Sequence, residues 1–132
     1  MENIHLTLAF LGEAEPDKAV TAAKSVKAPR HALPIEEARY WKHNAIVWVG
    51  PREVPAGLQA LVESLNAELR RASFVLEERP FAAHVTLLRK AKKPDVLPPL
   101  PRIEWPVGEF LLVRSRVSSA GAAYEPIERF SL

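Results

Sequence analysis

His5-Leu6-Thr7-Leu8-Ala9-Phe10-Leu11-Gly12 and Phe81-Ala82-Ala83-His84-Val85-Thr86-Leu87-Leu88-Arg89 each hold the unit His-x-Thr-Leu inside an apolar frame. In the first stretch Ile4, Leu6, Leu8 and Phe10 alternate with His5, Thr7 and Ala9, the period-two pattern of a half-buried strand that ends at Leu11-Gly12. Ala83 to Leu88 repeats that pattern. Side chains along a strand point alternately to its two faces, so His5 shares a face with Thr7, and His84 shares a face with Thr86. A lone His-x-Thr is ordinarily just a strand pair, because Thr is common in strands. Two copies, each in a strand signal and each followed by Leu, point to function.

Working outward, Pro16 to Lys27 predicts a helix, with Pro near its first position and Val20, Ala23 and Val26 on one side. Leu33 to Ala38 and Ala45 to Val49 read as strands of a hairpin joined through Tyr40-Trp41-Lys42-His43-Asn44. Leu58, Leu61, Val62, Leu65 and Leu69 recur at helical spacing, predicting a second helix over Pro55 to Arg71. Phe74 to Glu78 reads as a short strand. Pro94 to Pro101, with four prolines, reads as an extended connector. Ile103 to Pro106, Glu109 to Ser118 and Ile127 to Phe130 read as closing strands, with a turn through Ser119-Ala120-Gly121. This order predicts an α+β fold with helices outside antiparallel sheets, and the repeated motif fits a tandem arrangement.

The 132 residues suit one domain, 1–132, and no apolar run nears the ~18 residues of a membrane helix. Cysteine is absent, which removes disulfides and thiolate metal sites and suits a reducing cytoplasm. Met1-Glu2-Asn3-Ile4 has no basic region or apolar stretch of a secretory signal, so a cytoplasmic protein is expected. The net charge of +2 is too small to identify a nucleic-acid binder. Its distribution says more: Arg89, Lys90, Lys92 and Lys93 follow the second motif, and Arg114 and Arg116 interrupt a late apolar run. A solvated basic face accounts for the lysines equally well.

Phosphodiester chemistry explains the residue types. In-line attack on a cyclic phosphate needs a base for water, an acid for the departing ribose oxygen, and donors for the phosphoryl oxygens. Two histidines and two threonines supply these groups without a metal. An ordinary imidazole titrates near ~6.5, so one ring can be neutral while the other is protonated. A zinc site would need three or four converging ligands, and no His-x-x-x-His or Cys pair starts one. No cofactor is expected.

The two motif stretches, with Phe110-Leu111-Leu112-Val113-Arg114-Ser115-Arg116 and Tyr124-Glu125-Pro126-Ile127, resemble the two-histidine (2H) phosphoesterase superfamily, above all its RNA 2′,3′-cyclic phosphodiesterases, also called 2′-5′ RNA ligases. The resemblance runs nearly end to end. It implies a bilobal, pseudo-symmetric α+β fold whose motif strands line a central groove. It also implies hydrolysis of RNA 2′,3′-cyclic phosphate ends to 2′-phosphates, with 2′-5′ ligation as the reverse. By the resemblance His5 is the proton donor, His84 the proton acceptor, and Thr7 and Thr86 bind phosphate. Phe10 and Arg89 resemble the pair that sandwiches the nucleobase. Strict alternation puts these two on the faces opposite their histidines, and a bulge or strand end would reconcile the two readings.

Two departures stand out. Ala83 occupies a position that is usually Pro in the family, and only Met1–Ile4 precede the first motif where members usually carry a strand and a helix. The resemblance thus implies an N-terminally short domain with an exposed sheet edge that a homodimer partner could cover. A nucleotide-binding module without turnover, and a 2H phosphodiesterase for a small cyclic nucleotide, share the same site residues. His31 and His43 read as surface histidines, and Trp41, Trp48 and Trp105 as core or interface anchors.

Overall fold

Along the chain the elements are helix α1 (Pro16–Lys24), strands β1 (His31–Ile35), β2 (Glu37–Trp41) and β3 (Ile46–Gly50), helix α2 (Ala56–Arg71), and strands β4 (Val85–Leu88), β5 (Ile103–Val107), β6 (Glu109–Ser118) and β7 (Gly121–Ser131). They come from a computed structural model that describes residues 5–76, 81–88, 90, 92, 97, 101–118 and 121–132. Every ladder is antiparallel: β1 pairs with β5, β2-β3-β4 form a second sheet, and β6 pairs with β7. This is the expected α+β class. None of the described helices is long and apolar enough to cross a membrane.

The stripe read from the sequence, Leu58, Leu61, Val62, Leu65 and Leu69, is wholly buried on α2. It meets Leu33 and Ile35 of β1, Val49 of β3, Ala83 and Val85 around β4, and Ala22 and Ala23 of α1 in one core. Phe110 and Phe130 are cross-strand partners on β6 and β7, stacked at 5.0 Å, and extend the same core. Small alanines on α1 let it lie close to α2, and the two helices cover the apolar faces of the strands.

Four expectations need correction. Helix α1 ends a turn early, at Lys24, because Ser25 and Val26 donate to Ala22 and Ala23 in tight three-residue bonds. The Lys27 amide then bonds Ser64 Oγ on α2, turning the chain away from the helix axis. The strand read over Leu33 to Ala38 is two strands in different sheets. The break falls at Glu36, whose amide donates to the Gly50 carbonyl, and propensity alone could not see this change of partner. The closing strand begins at Gly121, well before Ile127, because it pairs with nearly all of β6. His31 opens β1 rather than sitting in a surface loop. Its Nδ1 bonds the Pro29 carbonyl, and its ring is packed so closely on Gly57 that a β-carbon there would lie 2.5 Å from His31 Cβ.

Other readings fall differently. His43 is exposed, as expected. Phe74 to Leu76 forms no strand, and Glu77 and Glu78 lie outside the described residues, as do Ser119 and Ala120 and most of the Pro94 to Pro101 connector. Pro34 and Pro106 sit within the β1–β5 ladder, which a two-stranded sheet tolerates because each strand has a free edge for the position without an N–H.

The end of α2 yields a test. Phe74 N–H bonds the Leu69 carbonyl and Ser73 N–H bonds Arg70, the Schellman pattern, with Ser73 at φ +70° where glycine usually stands. A left-handed L-residue costs about 1–2 kcal/mol, partly offset by the extra chain entropy that glycine loses on folding. Ser73→Gly is expected to raise Tm by a few degrees in a circular-dichroism melt. An unchanged or lower Tm would show that the serine is not strained.

Candidate active site

Strand β4 buries Val85 against the core, and alternation turns His84 and Thr86 to the other face, where both are half-buried. The register of β3 with β4, Val49 opposite Val85 and Trp48 opposite Thr86, puts Trp48 on that same face. On the other side of β4, Leu6 makes an isolated antiparallel bridge to Val85. This register aligns His5 with Thr86 and Thr7 with His84. The two His-x-Thr units therefore interlock head to tail across one bridge, with the side chains of all four motif residues turned to the face away from the core.

The N-terminal strand expected over Ile4 to Phe10 is thus reduced to one bridged residue, with Ile4 outside the described residues. The chain bends at Leu8, and Leu6, Leu8, Ala9 and Leu11 all pack on the core, which a strictly alternating strand cannot do. The loss of alternation leaves Phe10 free of the strand argument, and the residue is 68% exposed. Thr7 is exposed as well. The β3–β4 ladder slips between Val47 and Trp48: Thr86 pairs with Trp48, Leu88 pairs with Val47, and Leu87 is the extra residue of a bulge. Alternation counted from His84 therefore fails beyond Thr86. Arg89 itself lies outside the described residues.

Each histidine is held by its surroundings. His84 Nδ1 lies 2.8 Å from the Ala82 carbonyl, and a carbonyl only accepts, so Nδ1 carries the hydrogen. In the neutral ring the lone pair then sits on Nε2. Trp41 meets the imidazole edge-on with centroids 4.7 Å apart, and Trp48 stands at 6.3 Å with its ring 4.9 Å from Trp41. His5 packs against Tyr124 of β7 at 4.7 Å. The sequence reading missed Trp41 and Tyr124 as neighbours of the site. Trp48, 8% exposed, is the buried anchor expected, whereas Trp105 is 39% exposed on β5. Arg114 and Arg116 fall on the opposite face of β6 from Ser115, the cross-strand partner of Tyr124.

A family model described as LigT like Phosphoesterase matches residues 49–124, more than half of the chain and including the second motif. The chain is also 38% identical to the RNA 2′,3′-cyclic phosphodiesterase of Escherichia coli (strain K12), an alignment covering 99% of this chain and 77% of that protein. This chain belongs to the LigT-like phosphoesterase family. The RNA 2′,3′-cyclic phosphodiesterase of Thermus thermophilus is 35% identical over 98% of this chain and 72% of its own. The crystal structure of E. coli LigT complexed with 3′-AMP superposes with a TM-score of 0.88 at 34% identity, covering 98% of this chain and 77% of that one. The phosphate complex of the same LigT gives 0.83 at 33%, covering 98% and 75%. The 2H fold implied by the paired motif is therefore the fold of this LigT-like chain.

Gly50 packs tightly against the backbone just before His84. The register sets it beside His84, and a β-carbon there would meet the Ala83 carbonyl oxygen at 2.6 Å and Trp48 Cζ3 at 3.2 Å. A backbone oxygen cannot swing aside, so Gly50→Ala must part β3 from β4. The expected loss is about 1–3 kcal/mol in urea unfolding, with altered tryptophan fluorescence. Wild-type stability and emission would show that the strands have slack at this point.

Proposed function

We propose that this LigT-like chain hydrolyses 2′,3′-cyclic phosphate ends of RNA to 2′-phosphates by paired-imidazole acid-base catalysis. The interlocked register around Leu6 and Val85 carries the reading, because it turns two imidazoles and two hydroxyls toward one face. The relatives named above are RNA 2′,3′-cyclic phosphodiesterases, and LigT of E. coli holds 3′-AMP or phosphate in its crystal structures, which supports a nucleotide substrate.

His84 serves as base through Nε2, since its Nδ1–H is committed to Ala82. Water loses its proton to Nε2 as its oxygen bonds to phosphorus. The bond from phosphorus to O3′ breaks, and His5 gives its proton to O3′. The product carries a 2′-phosphate and a free 3′-hydroxyl, and exchange with solvent resets both rings. Thr7 and Thr86 donate hydroxyl hydrogen bonds to the non-bridging oxygens, which gather charge as the bond breaks. Phe10 and Arg89 hold the terminal base. A 5′-hydroxyl in place of water gives a 2′-5′ linkage by the same steps. All proton transfers are assigned to side chains, so no metal is required.

We read residues 1–132 as one such domain working in the cytoplasm. Self-association belongs to the same proposal: Ile103 and Trp105 are exposed on β5, and a monodisperse monomer in light scattering would exclude it.

Either His5→Ala or His84→Ala is expected to lower kcat on 2′,3′-cyclic AMP by about 10²–10⁴-fold with the circular-dichroism spectrum unchanged. EDTA is expected to have no effect, and chromatography should identify a 2′-phosphate. A 3′-phosphate product would reverse the leaving group, and loss of activity on chelation would rule out the metal-free mechanism.

A further inference from the structure

Strand β2 is the outer strand of the sheet that carries the second motif, and its odd-numbered residues have no part in the mechanism so far. Ala38 packs on the core, so alternation turns Glu37, Arg39 and Trp41 to the catalytic face. The register extends this across the sheet: Arg39 stands opposite Trp48, Trp48 opposite Thr86, and the Leu6 bridge sets His5 next in the row. Arg39 is thus two strands from Thr86, about 10 Å at the usual strand spacing. The Arg39 side chain is 63% exposed, and its Nε lies 3.2 Å from the carboxylate of Glu37, whose side chain is 19% exposed. Trp41, next on the same face, leans across Trp48 to touch His84.

An exposed cation and a half-buried aromatic ring, two residues apart on one face beside a phosphate site, match what single-stranded nucleic acid requires of a surface. The cyclic phosphate at Thr7 and Thr86 terminates a chain whose next charge is the internucleotide phosphate one nucleotide upstream. One nucleotide and an extended arginine side chain together cover the distance from Thr86 to β2. We infer that β2 is a second subsite, in which Arg39 binds the internucleotide phosphate of RNA while Trp41 gives the sugar or base of the penultimate nucleotide a flat wall. The inference rests on the proposed phosphodiesterase activity and adds a preference: RNA ends over cyclic mononucleotides. Glu37 then has a purpose, since it holds Arg39 extended along the strand until phosphate competes for the guanidinium.

The test compares 2′,3′-cyclic AMP with a dinucleotide ending in a 2′,3′-cyclic phosphate, each over a range of salt concentrations. Wild type should show kcat/KM roughly tenfold or more higher on the dinucleotide, the value of one charge-assisted contact. Arg39→Ala should abolish that preference by lowering the dinucleotide value alone. It should also flatten the slope of log kcat/KM against log salt for the dinucleotide by about 0.7, as expected for one lost phosphate contact on a single strand. Arg39→Lys should retain the slope. If Arg39 only neutralises Glu37 near His84, Arg39→Ala will slow both substrates alike, and the inference fails. It fails as well if wild type has no dinucleotide preference or if the slope does not change. Folded wild-type protein that turns over neither substrate would overturn the phosphodiesterase proposal and this inference with it.

Discussion

The bridge between Leu6 and Val85 is the contact on which the site depends. Both side chains point to the core, where Val85 is buried and Leu6 partly so, and their burial gives the bridge its driving force. A strand cannot bury one residue without presenting its neighbours to the opposite side. Fixing Leu6 and Val85 inward therefore fixes His5, Thr7, His84 and Thr86 outward. A slip of the first motif by one residue in this register would turn His5 and Thr7 into the core, while β3 holds His84 and Thr86 in place. The apolar members of the two motifs are thus as much a part of the site as the polar ones.

The same reasoning marks where regular alternation must fail. The chain bends at Leu8, and β4 takes a bulge at Leu87. Each irregularity falls within three residues of a motif histidine and releases the residues beyond it from the face that period two would dictate. Phe10 gains its exposure in this way. Bulges near active sites commonly re-aim side chains, and here the re-aiming follows directly after the second His-x-Thr.

The sequence made legible whatever depends on local periodicity. The stripe of α2 was readable because five apolar residues at helical spacing can be buried on one side of a helix only. Strand β6 was readable from its apolar run over the bounds Glu109 to Ser118 that it takes in the fold. The change of sheet at Glu36 and the full length of β7 were not readable, because both are set by partners distant in sequence. At the site, His5, Thr7, His84 and Thr86 could be named from the repeated motif. Trp41 and Tyr124 could not, since ring contacts with His84 and His5 depend on how the strands are laid side by side. Gly50 carried no signal beyond closing a strand, although the approach of the Ala83 carbonyl leaves no room for a side chain.

The two imidazoles have different ring neighbours. His84 has a backbone carbonyl fixing which nitrogen carries hydrogen, so its free nitrogen is a defined acceptor whenever the ring is neutral. That suits the base that we propose His84 to be, which must be ready before water arrives. The Tyr124 ring beside His5 restricts the direction in which that imidazole faces. The two copies of the motif thus differ in their ring neighbours, two tryptophans beside His84 and a tyrosine from the β6–β7 ribbon beside His5. A repeat alone would give two equivalent histidines. We propose that their division into donor and acceptor draws on these neighbours.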